Sequence, residues 1–233
     1  MEKKALCFIP ARGGSKRTPR KNILPLDGKP LFSYTVEAAI QSDVFSKIVV
    51  SSDDEEILER SIKLGVSIDE RPAQLSLDTT RAVEVLHEYL SRESIKKQFN
   101  VAANLLPTCP FRTADDICNA FDIFWKYDAK YCVIALTEFD FPPQLAIKLE
   151  ENNHDLKMIN PSQFRKTTRS QDLGKSYHPN GAIYITSIEK YLREKTFFVE
   201  PLKGYLMPPE RSFDIDYPYQ LKIAEHMMKE LNL

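Results

Sequence analysis

Glycine is scarce in this chain, seven residues in 233, and none of them builds a GxGxxG or GxxxxGK[ST] pattern. A P-loop hydrolase is therefore disfavoured. Net charge is also missing: 32 basic residues face 33 acidic ones, for a formal charge of -1, so the broad basic excess of a nucleic-acid binder is absent. The four cysteines (Cys7, Cys109, Cys118, Cys132) form no CxxC pair and the four histidines (His87, His154, His178, His226) no HExxH, so a zinc site is not expected. The thiols read as buried and reduced, in a cytoplasmic protein. No stretch approaches the ~20 apolar residues of a membrane span. The N-terminal "MEKKALCFIPARGG" has an apolar core too short for a signal peptide. Repeats and low-complexity tracts are absent as well.

What is present is ordinary for a globular chain, with 42% hydrophobic and 28% charged residues, and long enough for a full core. Apolar runs alternate with helical patterns. "KALCFIP", "KIVVSS", "VAANLLP", "YCVIAL" and "GAIYIT" read as strands. "PLFSYTVEAAIQS", "DDEEILERSIKLG", "DTTRAVEVLHEYL", "TADDICNAFDIFWKY" and "YPYQLKIAEHMMKEL" read as helices. Gly65 is a stop signal, and Thr113 with Asp116 has capping-box spacing. Strands alternating with helices of about 10–15 residues predict parallel βαβ units, hence α/β: a doubly wound, mostly parallel sheet in a single domain over 1–233. The alternation fails between about Thr137 and Pro179, a polar and turn-rich segment expected to form a hairpin and arm.

Charge is concentrated in one place. "IPARGGSKRTPRKN" packs five cations into the ten residues from Arg12 to Lys21, with no acid among them, directly after the first strand. Ligands of open α/β sheets bind outside the carboxyl ends of the strands, which is where this loop begins. Gly13 and Gly14 are expected to let the backbone approach an anion closely. Arg12, Lys16 and Lys21 would supply charge. In a chain of neutral balance, the ligand implied is a small polyanion. Near the C-terminus, "FDID" places Asp214 and Asp216 two residues apart, on one face of an extended chain. Two carboxylates so placed suit Mg²⁺, which takes one or two of them plus phosphates and water. The competing reading has Asp216 capping the last helix.

These motifs, with "SSDDEEI", "ERPAQLSLDTT", "LLPTCPFR", "RSQDL" and "NGAIYI", resemble in the same order those of the acylneuraminate cytidylyltransferases. The resemblance covers nearly the whole chain. It implies a Rossmann-like nucleotidyltransferase fold and an enzyme that transfers CMP from CTP to the C2 hydroxyl of a nonulosonic acid, releasing pyrophosphate with Mg²⁺ as cofactor. By resemblance, Arg12 and Lys21 hold the triphosphate with Gly13, Gly14, Ser15 and Lys16 beside them, and Asn22 seats the nucleoside. Arg71, Asp78 and Thr80 lie near cytosine and ribose, and Asp214 and Asp216 hold the metal. Taken alone, Arg71 reads equally as an exposed arginine at a helix exit.

On the sugar-acid side, Arg169, Gln171, Tyr177, Phe197 and Phe198 match segments that approach the sugar in the family, although Tyr177 and the phenylalanines read equally as core or interface. The segment 137–179 resembles the family's dimerisation arm, which implies a homodimer. Relatives with the sialic-acid pattern carry "LLQPTSP", whereas "NLLPTCP" here puts Leu106 in place of glutamine and Cys109 in place of serine. Leu106 then offers apolar contact, which favours a legionaminic or pseudaminic type of acid over N-acetylneuraminic acid. The retained "NGAIYI" tilts toward legionaminic. Two alternatives stand beside this reading: a cytidylyltransferase for the eight-carbon acid Kdo, whose basic loop differs, and a non-catalytic nucleotide-binding module, against which the intact Arg12, Lys21, Asp214 and Asp216 argue.

Overall fold

The run Ala5–Pro10 is buried at every position, the pattern of a strand covered on both faces. In the computed structural model, residues 4–15, 17–77, 79–150, 154–166 and 169–231 are described. Among them the strands are β1 (Ala5–Pro10), β2 (Pro25–Leu26), β3 (Lys29–Pro30), β4 (Lys47–Ser52), β5 (Ser67–Glu70), β6 (Val101–Asn104), β7 (Val133–Glu138), β8 (Ile147–Leu149), β9 (Leu156–Met158), β10 (Tyr177–Ser187) and β11 (Lys203–Leu206). The helices are α1 (Leu31–Gln41), α2 (Glu55–Lys63), α3 (Ala82–Ser91), α4 (Glu93–Gln98), α5 (Ala114–Lys126), α6 (Pro161–Lys166), α7 (Ile188–Glu194) and α8 (Pro218–Leu231).

Seven strands form one sheet in the order β11-β7-β10-β6-β1-β4-β5. The pairs β1–β4, β1–β6, β4–β5 and β7–β11 are parallel, and β10 runs antiparallel to β6. The sheet is thus doubly wound and mostly parallel, as the alternation predicts. From β1 the chain builds outward to β4 and β5, then returns to place β6 on the other side, so the winding reverses between β1 and β6. That reversal opens a crevice at their carboxyl ends.

Alternation along β1 sends Cys7 and Ile9 into a core with Phe32, Val36, Phe121 and Phe124, and Leu6 and Phe8 into one with Val85, Leu86, Tyr89 and Tyr191. Helices α1 and α5 therefore cover one face, and α3 and α7 the other. Local signals set the helix ends. Asp54 caps α2 by accepting from the Glu56 and Ile57 amides, and Gly65 adopts φ +80 just beyond that helix. Thr113 and Asp116 form a reciprocal capping box on α5. Sequence reading passes over β5, β11, α4 and α7, whose runs are too short to show a period.

Two units make up the chain, Thr137–His178 and the remainder. In the smaller one, β8 and β9 pair as an antiparallel hairpin that sets Ile147 opposite Met158 and Leu149 opposite Leu156. Its ends are drawn together by Phe139 donating to the Ser176 carbonyl at 3.0 Å and by Lys175 pairing with Glu138 at 2.8 Å.

Candidate active site

A cleft of about 460 Å³ lies at the reversal of the winding. Arg12, Gly14, Ser15, Arg17, Lys21 and Asn22 line it from the loop after β1; Leu106, Pro107 and Thr108 from the segment after β6; and Arg71, Thr80, Asp214 and Asp216 complete it. The cationic loop and the carboxylate pair, some 200 residues apart in sequence, therefore share one wall-to-wall space.

The loop's charge is balanced from two sides. Lys21 donates from Nζ to Asp216 Oδ1 at 2.7 Å, and Arg17 from Nη1 to Asp216 Oδ2 at 2.6 Å. Arg20 pairs instead with Asp54 at 3.0 Å and Glu56 at 2.9 Å, which pins the loop to the start of α2. Gly13 donates its N–H to Asp53 Oδ1 at 2.9 Å, and Arg12 Nη1 donates to the Leu77 carbonyl at 3.3 Å. "SSDDEEI" thus anchors the loop from outside, a role invisible when its acids are read only as helix-start residues. Lys16 and Asp78 lie outside the described residues.

One glycine expectation needs correction. A Cβ on Gly13 would stand 2.8 Å from Asp54 Cβ and Oδ2, so this glycine serves the approach of the loop to α2, and its amide faces a carboxylate of the protein. Gly14 has open space around it and lines the cleft. Asn22 is buried. Its Nδ2 donates to the Arg12 carbonyl at 2.8 Å, while Oδ1 is buried without a hydrogen-bond partner among the described residues.

Arg71 is no exposed helix-exit residue. At 6% exposure it follows β5 directly and donates from Nη2 to the Ser51 carbonyl at 2.9 Å. Burial lowers its proton affinity, against which Asp53 and Asp69 act. Leu106 lines the cleft, and a Cβ on Gly181 of "NGAIYI", at φ +80, would stand 3.2 Å from Leu106 Cδ1. Phe197 is corrected to a core residue: it is 2% exposed and packs on Tyr184 and Tyr191 with centroids 5.2 and 4.8 Å away. Phe198 is exposed. Arg169, Gln171 and Tyr177 belong to the smaller unit, where all three are exposed.

The carboxylate pair owes its placement to the residue between its members. Ile215 is fully buried and its amide donates to the Thr108 carbonyl at 2.9 Å, so alternation turns Asp214 and Asp216 the other way, into the cleft. The helix-cap reading of Asp216 gives way here, because both its oxygens accept from cations. The amides of Asp216 and Tyr217 are met by Gln220 Oε1 instead. The two carboxyls differ in character. Burial raises the pKa of Asp214, opposed by a hydrogen bond from Thr108 and reinforced by the negative charge of Asp216. Asp216 is lowered: desolvation acts upward, but Lys21 and Arg17 outweigh it.

Among the described residues no three His, Cys, Asp or Glu side chains gather as a self-sufficient metal cage. Two oxygen donors on one wall of a cleft with cations opposite suit a hard ion that arrives with a polyphosphate, the usual mode for Mg²⁺. The residues present therefore fit that ion.

Arg112 and Arg17 escaped the sequence reading. Arg112 is buried and holds the Ala182 carbonyl at 2.6 Å and Thr35 Oγ1 at 2.6 Å, joining "LLPTCPFR" to "NGAIYI" beneath the cleft. No local pattern marks an arginine as buried. Arg17 was visible only as one charge in a run.

Comparison with known proteins adds three findings. The profile of a family described as Cytidylyltransferase matches residues 6–225. The chain is 37% identical over 228 residues to a pseudaminic acid cytidylyltransferase of Campylobacter jejuni, and 32% identical over 230 residues to a CMP-N,N'-diacetyllegionaminic acid synthase of Legionella pneumophila, with 97% of each chain covered in both cases. Among solved structures, CMP:2-keto-3-deoxy-manno-octonic acid synthetase complexed with CTP aligns at a TM-score of 0.71 and 17% identity, over 98% of this chain and 99% of that one, a likeness of fold alone.

Proposed function

The chain belongs to the cytidylyltransferase family, and from that premise we propose that it transfers CMP from CTP to the C2 hydroxyl of a nonulosonic acid, releasing pyrophosphate. The observation that carries the reading is one cleft in which Arg12 and Lys21 face the pair Asp214 and Asp216. The cations receive the triphosphate, charge against charge, in a part-buried space where such contacts count for more than in water. Asn22, Arg71 and Thr80, which line the cleft beside the cations, seat the nucleoside. Asp214 and Asp216 would hold Mg²⁺, which when bound neutralises phosphate charge and polarises the phosphoryl oxygens.

In the transfer, the C2 oxygen of the sugar acid bonds to the α-phosphorus and releases its proton to water as the bond from that phosphorus to the β-bridging oxygen breaks. Pyrophosphate carries the leaving charge, which Arg12 and Lys21 stabilise. No covalent enzyme intermediate is required.

The sugar belongs to the diamino nonulosonic class. Leu106 gives the cleft an apolar wall where relatives of the sialic-acid pattern have an amide, and two relatives matched over 97% of their length carry names of pseudaminic and diacetyllegionaminic acids. Kdo ranks lower, since only fold likeness points to it. The hairpin of the smaller unit supports a homodimer: Ile147, Leu149, Leu156 and Met158 share one exposed face, too apolar for a surface meant for water. Free thiols at Cys7, Cys109, Cys118 and Cys132, together with CTP as substrate, fit a cytoplasmic enzyme, and no described helix is long and apolar enough to cross a membrane.

Pyrophosphate release tests the reading. It should require CTP, Mg²⁺ and a nonulosonic acid together, with UTP and ATP inactive. Release from CTP without any sugar acid would defeat it.

A further inference from the structure

We infer that Asp216 occupies the phosphate seat of the ligand-free enzyme, and that Arg17 is a further phosphate-binding residue which exchanges Asp216 for the triphosphate when Mg²⁺ and CTP enter together. The inference rests on the proposed function and assigns a role to the one cleft cation that the family resemblance leaves without a part.

Four contacts clasp the loop to the segment carrying Asp216. Lys21 and Arg17 each take one carboxylate oxygen, at 2.7 and 2.6 Å. Thr18 Oγ1 donates to the Asp216 carbonyl at 2.9 Å, and the Arg17 guanidinium lies 5.4 Å from the centre of the Tyr217 ring. Both carboxylate oxygens of Asp216 are therefore engaged by the cations that line the triphosphate's space. A free nucleotide has to compete with a carboxylate already seated there, and a metal ion alone has to compete with two cations for the same two oxygens. Arriving together they satisfy each other's competitors: the ion draws on the carboxylate, and the phosphates take Lys21 and Arg17.

Exposure makes the Arg17 half of the clasp the easy one to exchange. The Arg17 side chain is 58% exposed against 12% for Lys21. Of two contacts to one carboxylate, the one more open to water is the weaker, so Arg17 gives up Asp216 before Lys21 does. Tyr217 keeps the guanidinium near the cleft through the exchange by cation–π attraction.

The test is a double-variant cycle read by calorimetry, titrating CTP in EDTA into wild type, Arg17→Gln, Asp216→Asn and the double variant. Arg17→Gln should change metal-free CTP affinity less than about twofold in the wild-type background, where Arg17 is occupied by Asp216. Asp216→Asn should tighten metal-free CTP by roughly tenfold, and adding Arg17→Gln should remove most of that gain, the scale of one charge-assisted contact. With Mg²⁺ restored, Arg17→Gln alone should weaken CTP by about tenfold. If Arg17→Gln has the same effect in both backgrounds, or Asp216→Asn leaves metal-free affinity unchanged, the exchange is refuted and the function stands. If wild type binds no CTP even with Mg²⁺, the function itself falls and the exchange with it.

Discussion

Lys21 and Asp216 meet at 2.7 Å although 195 positions separate them in the chain. Removing the cation takes a preorganised donor from the developing pyrophosphate, so Lys21→Ala should lower kcat by roughly 10²–10³-fold, measured under saturating CTP. Near-normal turnover would detach the loop from the phosphates. The glycines offer a sharper contrast. Gly13→Ala would drive a methyl into Asp54, the residue that both caps α2 and holds Arg20, and should cost about 1–3 kcal/mol in denaturant unfolding. Gly14→Ala meets open space and should leave stability unchanged. At this scale the sequence disclosed the loop, because cations after a buried strand have few other uses. It did not disclose the partners of those cations, because an ion pair between residues so distant leaves no local pattern. Arg71 and Phe197 were open between two readings for the same reason: burial is decided by the packing of other elements around them.

Helix α5 shows how one element positions another. Asp116 closes the capping box with Thr113, accepts from Arg211 at 3.0 and 2.8 Å, and accepts from the Tyr205 hydroxyl at 2.8 Å, all at a fully buried carboxylate. Arg211 stands three residues before Asp214, so this cluster anchors the approach to the carboxylate pair. Desolvation raises the Asp116 pKa, but Arg211, the Thr113 amide and Tyr205 together hold it below the usual carboxylate range. A depressed folded-state pKa contributes stability that is present above the unfolded value, near 3.9, and is lost as pH falls through the folded value. Asp116→Asn should therefore cost roughly 2–4 kcal/mol at pH 7, with the gap to wild type narrowing as the pH drops below about 4. Thermal unfolding from pH 3 to 7 checks this; a gap that widened in acid would contradict it. The capping box was legible from Thr113 and Asp116 alone, as were α1, α2, α3 and α8 from their apolar periods. The short β5 and β11 were not, since four residues carry no period and their place is fixed by neighbours already in the sheet.

Across the whole molecule, the mostly parallel sheet followed from alternation of strand and helix, whereas the antiparallel setting of β10 could not be read from its own apolar run. The crevice at the turn of the winding follows from strand order, which only the folded chain displays. Assembly is testable on the hairpin: wild type should run as a dimer in light scattering, and Leu149→Lys with Leu156→Lys should give a monomer that still binds Mg²⁺ and CTP. A monomeric wild type would contradict the dimer. The central claim, CMP transfer to a nonulosonic acid, is tested most directly by mass spectrometry of the product formed from CTP, Mg²⁺ and each of pseudaminic, legionaminic, N-acetylneuraminic and Kdo acids. CMP conjugates should form with the diamino nonulosonic acids at the highest kcat/KM, less with N-acetylneuraminic acid and least with Kdo. No CMP conjugate with any nonulosonic acid, or a clear preference for Kdo, would contradict it.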